Sequence, residues 1–236
     1  MKKILVVDDS ALMRRVLCDI IDGDKRFQVV DKATNGVEAL ALLTKNTYDA
    51  VVLDVNMPKM TGLQLLKELQ KRKIPAKVMM ASTDTREGAK TTMDALELGA
   101  LDFVHKPNNA LDCKADIFQR DFLRTLSAIT ESKALAFGKA FSLDSIKKTK
   151  QVVELAKKHA SSIRGKKIVA IASSTGGPKA LQSVITKLPK GLKTPVVVVQ
   201  HMPAGFTQSL AERLDSLSEI EVTEAADGET LQSGHV

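Results

Sequence analysis

Ile4-Leu5-Val6-Val7-Asp8-Asp9 and, further on, Ala50-Val51-Val52-Leu53-Asp54 are two apolar runs that each end in acid. A short, unbroken aliphatic run reads as a strand buried on both faces, as in a parallel sheet. Charge at the C-terminal tip of such a strand lies on the sheet edge where open α/β folds gather their sites. Two more runs obey the rule: Lys77–Met80 ends in Ala81, Ser82 and Thr83, and Asp102–His105 ends in Lys106 and Pro107. One acid at a strand end is commonly no more than the N-cap of the next helix. The succession Asp-Asp, Asp, Ser/Thr and Lys-Pro argues for a site instead. Three carboxylates converging there make a hard oxygen site suited to Mg²⁺, which takes carboxylates together with waters and phosphate oxygens.

Between these strands the periodicity becomes helical. Leu12, Val16, Leu17, Ile20 and Ile21 form a stripe ended by Asp22-Gly23-Asp24. Gln28–Val30 reads as a second strand and Gly36–Lys45 as a helix capped by Asn35. Gly62–Lys71 presents Leu63, Leu66 and Leu69, and Arg86–Leu98 closes at Gly99. Ile117, Phe122, Leu123 and Leu126 mark a last helix. Residues 1–127 are therefore predicted to be one doubly wound α/β domain.

Residues 128–165 show no strand pattern and are predicted to be a linker, with a Lys-rich, weakly amphipathic helix over Ser145–His159. The pattern restarts at Lys166: strand Ile168–Ala172, helix Pro178–Lys187, strand Pro195–Val199, helix Gly205–Leu217 and a third strand at Glu221–Ala225. Residues 166–236 are marginal in length for an open α/β sheet. The apolar pattern is about to resume at Gly234-His235-Val236, so this second unit is expected to be incomplete.

Composition bounds the partners. The formal net charge of the 236-residue chain is +7, and the stretch Glu131–Lys167 holds ten basic residues against three acids. The excess sits in the linker, with no aromatic-flanked recognition helix, so no nucleic-acid partner is expected. No run approaches the about 18 apolar residues of a membrane span, and Met1-Lys2-Lys3 opens no signal peptide. Cys18 and Cys113 lack Cys or His neighbours at ligand spacing. A cytoplasmic protein without membrane insertion is expected.

A carboxylate beside Mg²⁺ and a fixed ammonium can attack a phosphoryl group, since both cations neutralise charge on the transferring oxygens. Asp54 is the candidate nucleophile. Asp8, Asp9, Asp54 and the Asn56 carbonyl are the candidate metal ligands, and Lys106 and Ser82 the partners of the phosphoryl oxygens. Taken singly, Lys106 reads as a surface lysine before a turn proline, and Ser82 as a helix cap. Residues 1–127 resemble the receiver domain of two-component response regulators in Val6-Val7-Asp8-Asp9-Ser10, Leu53-Asp54-Val55-Asn56-Met57-Pro58 and Phe103-Val104-His105-Lys106-Pro107. The resemblance implies a flavodoxin-like fold, Mg²⁺ dependence and phosphorylation of Asp54 by a histidine kinase. It also implies that Phe103 is an aromatic switch residue. Thr61-Gly62 departs from the Asp-Gly of many receivers.

In the second unit Ala172-Ser173-Ser174-Thr175-Gly176-Gly177-Pro178 joins a strand to a helix, and Gln200-His201-Met202-Pro203 ends the next strand. Small residues expose a serine beside helix N-terminal N–H groups that favour an oxyanion. A Ser and a His on neighbouring strand tips begin a nucleophile–base pair. A phosphate-cradling turn fits these features equally well. The runs Ser173–Pro178, Val199–Pro203, Phe206-Thr207 and Ala226-Asp227-Gly228-Glu229 resemble the catalytic domain of the chemotaxis protein-glutamate methylesterases. That resemblance implies a Rossmann-like parallel α/β domain with Ser174 as nucleophile, His201 as general base and the Thr175 N–H as oxyanion donor. The implied substrates are glutamyl methyl esters, and often glutamines, of methyl-accepting chemoreceptors, with the unphosphorylated receiver covering the site. The orienting acid of that family comes late in its domain. Asp215 and Asp227 come too early, so this acid is expected beyond residue 236 and the present chain is expected to be poorly active. The alternative is a non-enzymatic response regulator with a relic output unit. A transcription regulator would need a helix-turn-helix that the sequence lacks.

Overall fold

In this computed structural model, residues 1–83, 86–107, 112–132, 167–202 and 205–236 are described. Strand β1 (Lys2–Val7) buries Ile4, Leu5, Val6 and Val7 because helices cover both sides of it. It is followed by α1 (Ala11–Asp22), β2 (Phe27–Ala33), α2 (Gly36–Lys45), β3 (Ala50–Asp54) and α3 (Gly62–Arg72). Then come β4 (Val78–Thr83), α4 (Arg86–Glu97), β5 (Asp102–Lys106) and α5 (Asp116–Glu131). The strands are parallel in the order β2-β1-β3-β4-β5, the flavodoxin-like arrangement. The order reverses between β1 and β3, so their C-terminal ends flank the crevice where such folds bind ligands.

One apolar layer holds Leu40, Leu53, Leu65, Leu66 and Met80, and the other holds Leu17, Ile21, Val52, Phe122 and Leu126. Some stripe residues read from sequence lie elsewhere. Leu12 and Ile117 are exposed, whereas Met13 and Leu65 are buried. Adjacent helical residues are rotated by about 100°, so a stripe read one row off turns its end residues to solvent. β2 is longer than Gln28–Val30 because it is an edge strand. Its half-buried Asp31 and exposed Lys32 continue the pairing after the apolar run has ended.

The second unit comprises β6 (Val169–Ser173), α6 (Gly177–Ile185), β7 (Val196–Gln200) and α7 (Phe206–Leu217), with β6 and β7 parallel. Glu221–Ala225 is not a strand. Glu221 forms an isolated bridge to His235, and the Thr223 N–H donates to the Val236 carbonyl, without a ladder. The predicted linker helix over Ser145–His159 lies outside the described residues. The two units meet where α4 packs on α6 and α7. Met93 and Leu96 join Leu181, Leu210 and Leu214 in one apolar cluster, and Glu97 pairs with Arg213. Phe103 of β5 lies against Phe206 of α7 with ring centroids 4.6 Å apart. Among the described residues no helix is long and apolar enough to cross a membrane.

Candidate functional site

The tips of β1 and β3 are neighbours because Val7 pairs with Leu53. Asp8, Asp9 and Asp54 therefore converge, with one carboxylate oxygen from each within 4.8 Å of the others. Asp8 and Asp54 are buried and Asp9 is exposed, so the cluster opens to solvent on one side. Asp8 accepts from the Ser10 N–H, and Ser10 in turn caps α1. The donor set is all oxygen, which fits Mg²⁺ better than softer metals. Asn56 is exposed in the loop two residues beyond Asp54.

Lys106 is not the surface residue its Lys-Pro context suggested. It is 5 % exposed, and its Nζ lies 2.9 Å from Asp8 Oδ2 and 2.8 Å from Asp54 Oδ1. A lysine is buried only when paired, and here two acids on neighbouring strands supply the pair. Burial works against the Lys106 charge, but Asp54 and Asp8 outweigh it and raise its pKa. Burial pushes Asp54 above its ordinary value, with Lys106 pulling the other way. Ser82 is buried one residue past Ala81, the register partner of Asp54. Phe103 is buried at the seam between the units.

Gly62 is required at this pocket by close approach. A Cβ there would lie 2.3 Å from the Asp54 carbonyl oxygen. Thr61, the departure noted above, caps α3 and forms a reciprocal capping box with Gln64. It serves the helix and leaves the acid cluster untouched.

In the second unit Ser173 pairs in register with Gln200, which sets Ser174 and His201 side by side at the tips of β6 and β7. Gln200, given no role from sequence, ties the tips together. Its Oε1 accepts from the Ser173 hydroxyl at 2.6 Å, and its Nε2 donates to the carbonyls of Ser174 and His201. A polar residue ending a run of valines was its sequence signal. The amide leaves no room at Gly177, where a Cβ would lie 2.0 Å from Oε1. Ser174 and His201 are exposed and Thr175 half-buried. No bond between Ser174 and His201 exists among the described residues. Instead the His201 Nε2 faces Arg124 Nη2 of α5 at 2.7 Å. Burial pushes the Asp102 carboxyl above its ordinary value, with the Thr175 side chain pulling the other way. Asp102 and Arg124 carry no motif, and their partners are distant in sequence, so reading the chain could not have found them.

A parallel sheet in this order, with three carboxylates and a buried lysine at its switch point, defines a receiver domain. The response regulator receiver domain family matches residues 4–117, and the CheB methylesterase family matches residues 169–236. A protein-glutamate methylesterase/protein-glutamine glutaminase of Pyrococcus abyssi is 42% identical over 98% of this chain and 61% of its own length. One from Thermotoga maritima is 41% identical over 99% of this chain and 64% of its own. The response regulator domain of Thermotoga maritima CheB superposes with a TM-score of 0.50 at 34% identity, covering 57% of this chain and 99% of that one. With both matches in this order, the chain belongs to the family of receiver-linked protein-glutamate methylesterases. It spans less than two thirds of the length of these curated relatives.

Proposed function

We propose that the chain is the receiver, residues 1–127, the linker, 128–165, and the first part of the catalytic domain, 166–236, of a cytoplasmic, phosphorylation-controlled chemotaxis methylesterase. The phosphodonor is a chemotaxis histidine kinase or a small acyl phosphate. The substrates are glutamyl methyl esters, and glutamine side chains, on chemoreceptor helices.

Asp54 attacks the phosphorus, its carboxylate oxygen forms the new bond, and the donor leaves with the bonding pair. Lys106 moves from the Asp54 carboxylate to the phosphoryl oxygens, and the Ser82 hydroxyl donates to them. Mg²⁺ held by Asp8, Asp9, Asp54 and the Asn56 carbonyl would supply further charge neutralisation. At the second site Ser174 Oγ attacks the ester carbonyl while His201 takes its proton. His201 then returns that proton to the departing methanol. Water, activated by His201, releases the glutamate carboxylate and restores Ser174. The Thr175 N–H stabilises the tetrahedral oxyanion.

The observation that carries this reading is the register pairing of Ser173 with Gln200, which sets Ser174 and His201 on adjacent strand tips beside a receiver. The second reading, a receiver acting by partner binding with a silent output unit, draws on the absence of a Ser174–His201 bond. Demethylation of methylated receptor by a chain of the relatives' length separates them. Ser174→Ala should eliminate turnover and leave phosphorylation of Asp54 by acetyl phosphate intact. Turnover that survives the substitution overturns the enzyme reading.

A further inference from the structure

The Gln200 side chain bonds Ser173, Ser174 and His201 at once. The Ser173 hydroxyl donates to its Oε1 at 2.6 Å, and its Nε2 donates to the Ser174 carbonyl at 3.1 Å and the His201 carbonyl at 2.9 Å. Only the nitrogen of an amide can meet a pair of carbonyls, so this network sets which end of the side chain faces the tips. The Gly177 N–H donates to the same Ser174 carbonyl at 2.6 Å. Held from both sides, the peptide between Ser174 and Thr175 cannot flip. That peptide is trans, so its N–H points opposite to its C=O, and the Thr175 N–H faces away from Gln200. The bond to the His201 carbonyl fixes the peptide next to the base in the same way.

We propose that Gln200 is a positioning residue of the second site. It aims the Thr175 N–H at the place where the tetrahedral oxyanion forms, and it holds nucleophile and base at a fixed spacing. Gln200 touches no reacting atom in this role and acts through the Ser174–Thr175 peptide. The inference deepens the esterase reading and rests on it. An oxyanion donor is most effective when its direction is set beforehand, since no free energy is then spent on turning it during the reaction. The turn does not set that direction by itself. Gly176 is left-handed, with φ 74°, and α6 has no side-chain N-cap. Glycine leaves such a turn conformationally free, so the restraint has to come from outside it. The neighbouring strand supplies it through Gln200. The same arrangement accounts for the second glycine of the turn, because a Cβ at Gly177 would lie 2.0 Å from Gln200 Oε1.

Steady-state demethylation of receptor by a chain of the relatives' length, with acetyl phosphate and Mg²⁺ present, provides the test. Gln200→Met keeps the side-chain length and loses the bonds to Ser173, Ser174 and His201. Removing an oxyanion donor costs about 10²–10³ in kcat, and a donor misdirected but still present should cost about 10- to 100-fold. KM should stay unchanged, because the oxyanion is absent from the bound ester. Gln200→Glu keeps the shape but sets oxygen against both carbonyls, and its kcat should fall at least as far. Gly177→Ala displaces the same amide and should lower kcat similarly. Combined with Gln200→Ala it should add little to the loss from Gln200→Ala alone. Wild-type kcat in Gln200→Met, as a packing role predicts, would overturn the proposal, and so would losses at 177 and 200 that multiply. In the 236-residue chain Gln200→Met should also speed exchange of the Gly177 and His201 amides, which donate to the Ser174 and Ser173 carbonyls. Unchanged exchange would overturn the tie without reference to turnover. The enzyme reading fails separately, by turnover that survives Ser174→Ala. Wild-type kcat for Gln200→Met in a chain that Ser174→Ala silences would remove the positioning role alone.

Discussion

The acid pocket at the tips of β1, β3 and β5 closes on its own charges, whereas the Ser174–His201 edge of β6 and β7 is closed by another unit. Asp8, Asp54 and Lys106 are buried together, and each finds its partner within the same sheet. The helices around that pocket are capped by their own side chains, Ser10, Asn35 and Thr61. α6 and α7 begin at left-handed glycines, Gly176 and Gly205, with no side-chain cap. A self-satisfied pocket is rigid before its ligand arrives. At the turn of the second unit the Gly177 N–H donates to the Ser174 carbonyl, while the Gly176 N–H reaches across to the Leu101 carbonyl of the receiver. That contrast separates a site completed within its own sheet from a turn bonded across the seam.

The difference is broken most completely by removing the acceptor. Asp54→Asn should eliminate phosphorylation by acetyl phosphate with Mg²⁺, read as loss of the added mass of one phosphoryl group. Ser174→Ala should leave that mass unchanged. Labelling that persists in Asp54→Asn would mean that another group at the pocket accepts the phosphoryl.

Next in size is Lys106→Ala. Breaking a buried ion pair from one side costs about 3–5 kcal/mol, because the remaining charge has no partner. Asp8 and Asp54 would then face each other, so urea unfolding at neutral pH without divalent ions should show that loss, and Mg²⁺ should recover part of it. The Asp54 pKa, already raised by burial, would rise further without Lys106 to lower it, so the folded state would hold a proton that the unfolded chain has already released. Stability is then lost as pH rises from the ordinary carboxylate range to the raised Asp54 value, and the deficit should shrink towards acid. The half-buried Glu97–Arg213 pair at the solvent-open seam should cost only about 1 kcal/mol when Arg213 becomes Ala. Equal costs for the two changes would remove the distinction between a prepaid pocket and an exposed seam.

Lys106 also marks the limit of reading the chain. Its place at a strand end was legible, because the apolar run before it fixes strand and tip. Its burial was not, because that depends on two acids from strands far away in sequence. The receiver sheet was legible for the same reason: β1, β3 and β4 are aliphatic runs with polar ends. β2 was read short where edge exposure allows Asp31 and Lys32, and Glu221–Ala225 was read as a strand where only Glu221 forms a bridge, to His235. The strand-tip places of Ser174 and His201 were legible from their motifs, but the tie made by Gln200 was not, since it lies in bonds across the register. Leu101, Asp102 and Arg124 belong to no pattern, and only the packing of α4 against α6 and α7 brings them to the second site.

Two glycines compare the sites at intermediate scale. Gly62→Ala would press a methyl on the Asp54 backbone oxygen, which cannot swing away, and overpacking of that kind costs about 1–3 kcal/mol or more. Gly177→Ala would meet the end of the Gln200 side chain, which can rotate off at the expense of its bonds to Ser173, Ser174 and His201. Thermal unfolding should show the larger loss for Gly62→Ala. Gly177→Ala should act mainly on the second unit, read as faster exchange of the amides of β6 and β7. A larger global loss for Gly177→Ala would mean that the Gln200 tie is as stiff as backbone.

The smallest expected effect lies at Thr61. Its hydroxyl accepts from the Gln64 N–H, and Gln64 Oε1 accepts from the Thr61 backbone N–H, so Thr61→Ala removes the first bond and leaves the second. Loss of such a cap costs about 1 kcal/mol. Thr61→Asp restores the residue that many receivers carry here, and Asp caps at least as well as Thr. Its charge also gains about 0.3–1 kcal/mol beside the positive end of α3. Thr61→Asp should therefore be neutral to slightly stabilising by urea unfolding and should leave the rate of Asp54 phosphorylation unchanged. A marked change in that rate would show that position 61 reaches the acid pocket, and the division between a pocket set by β-strand tips and helices set by their own caps would fail.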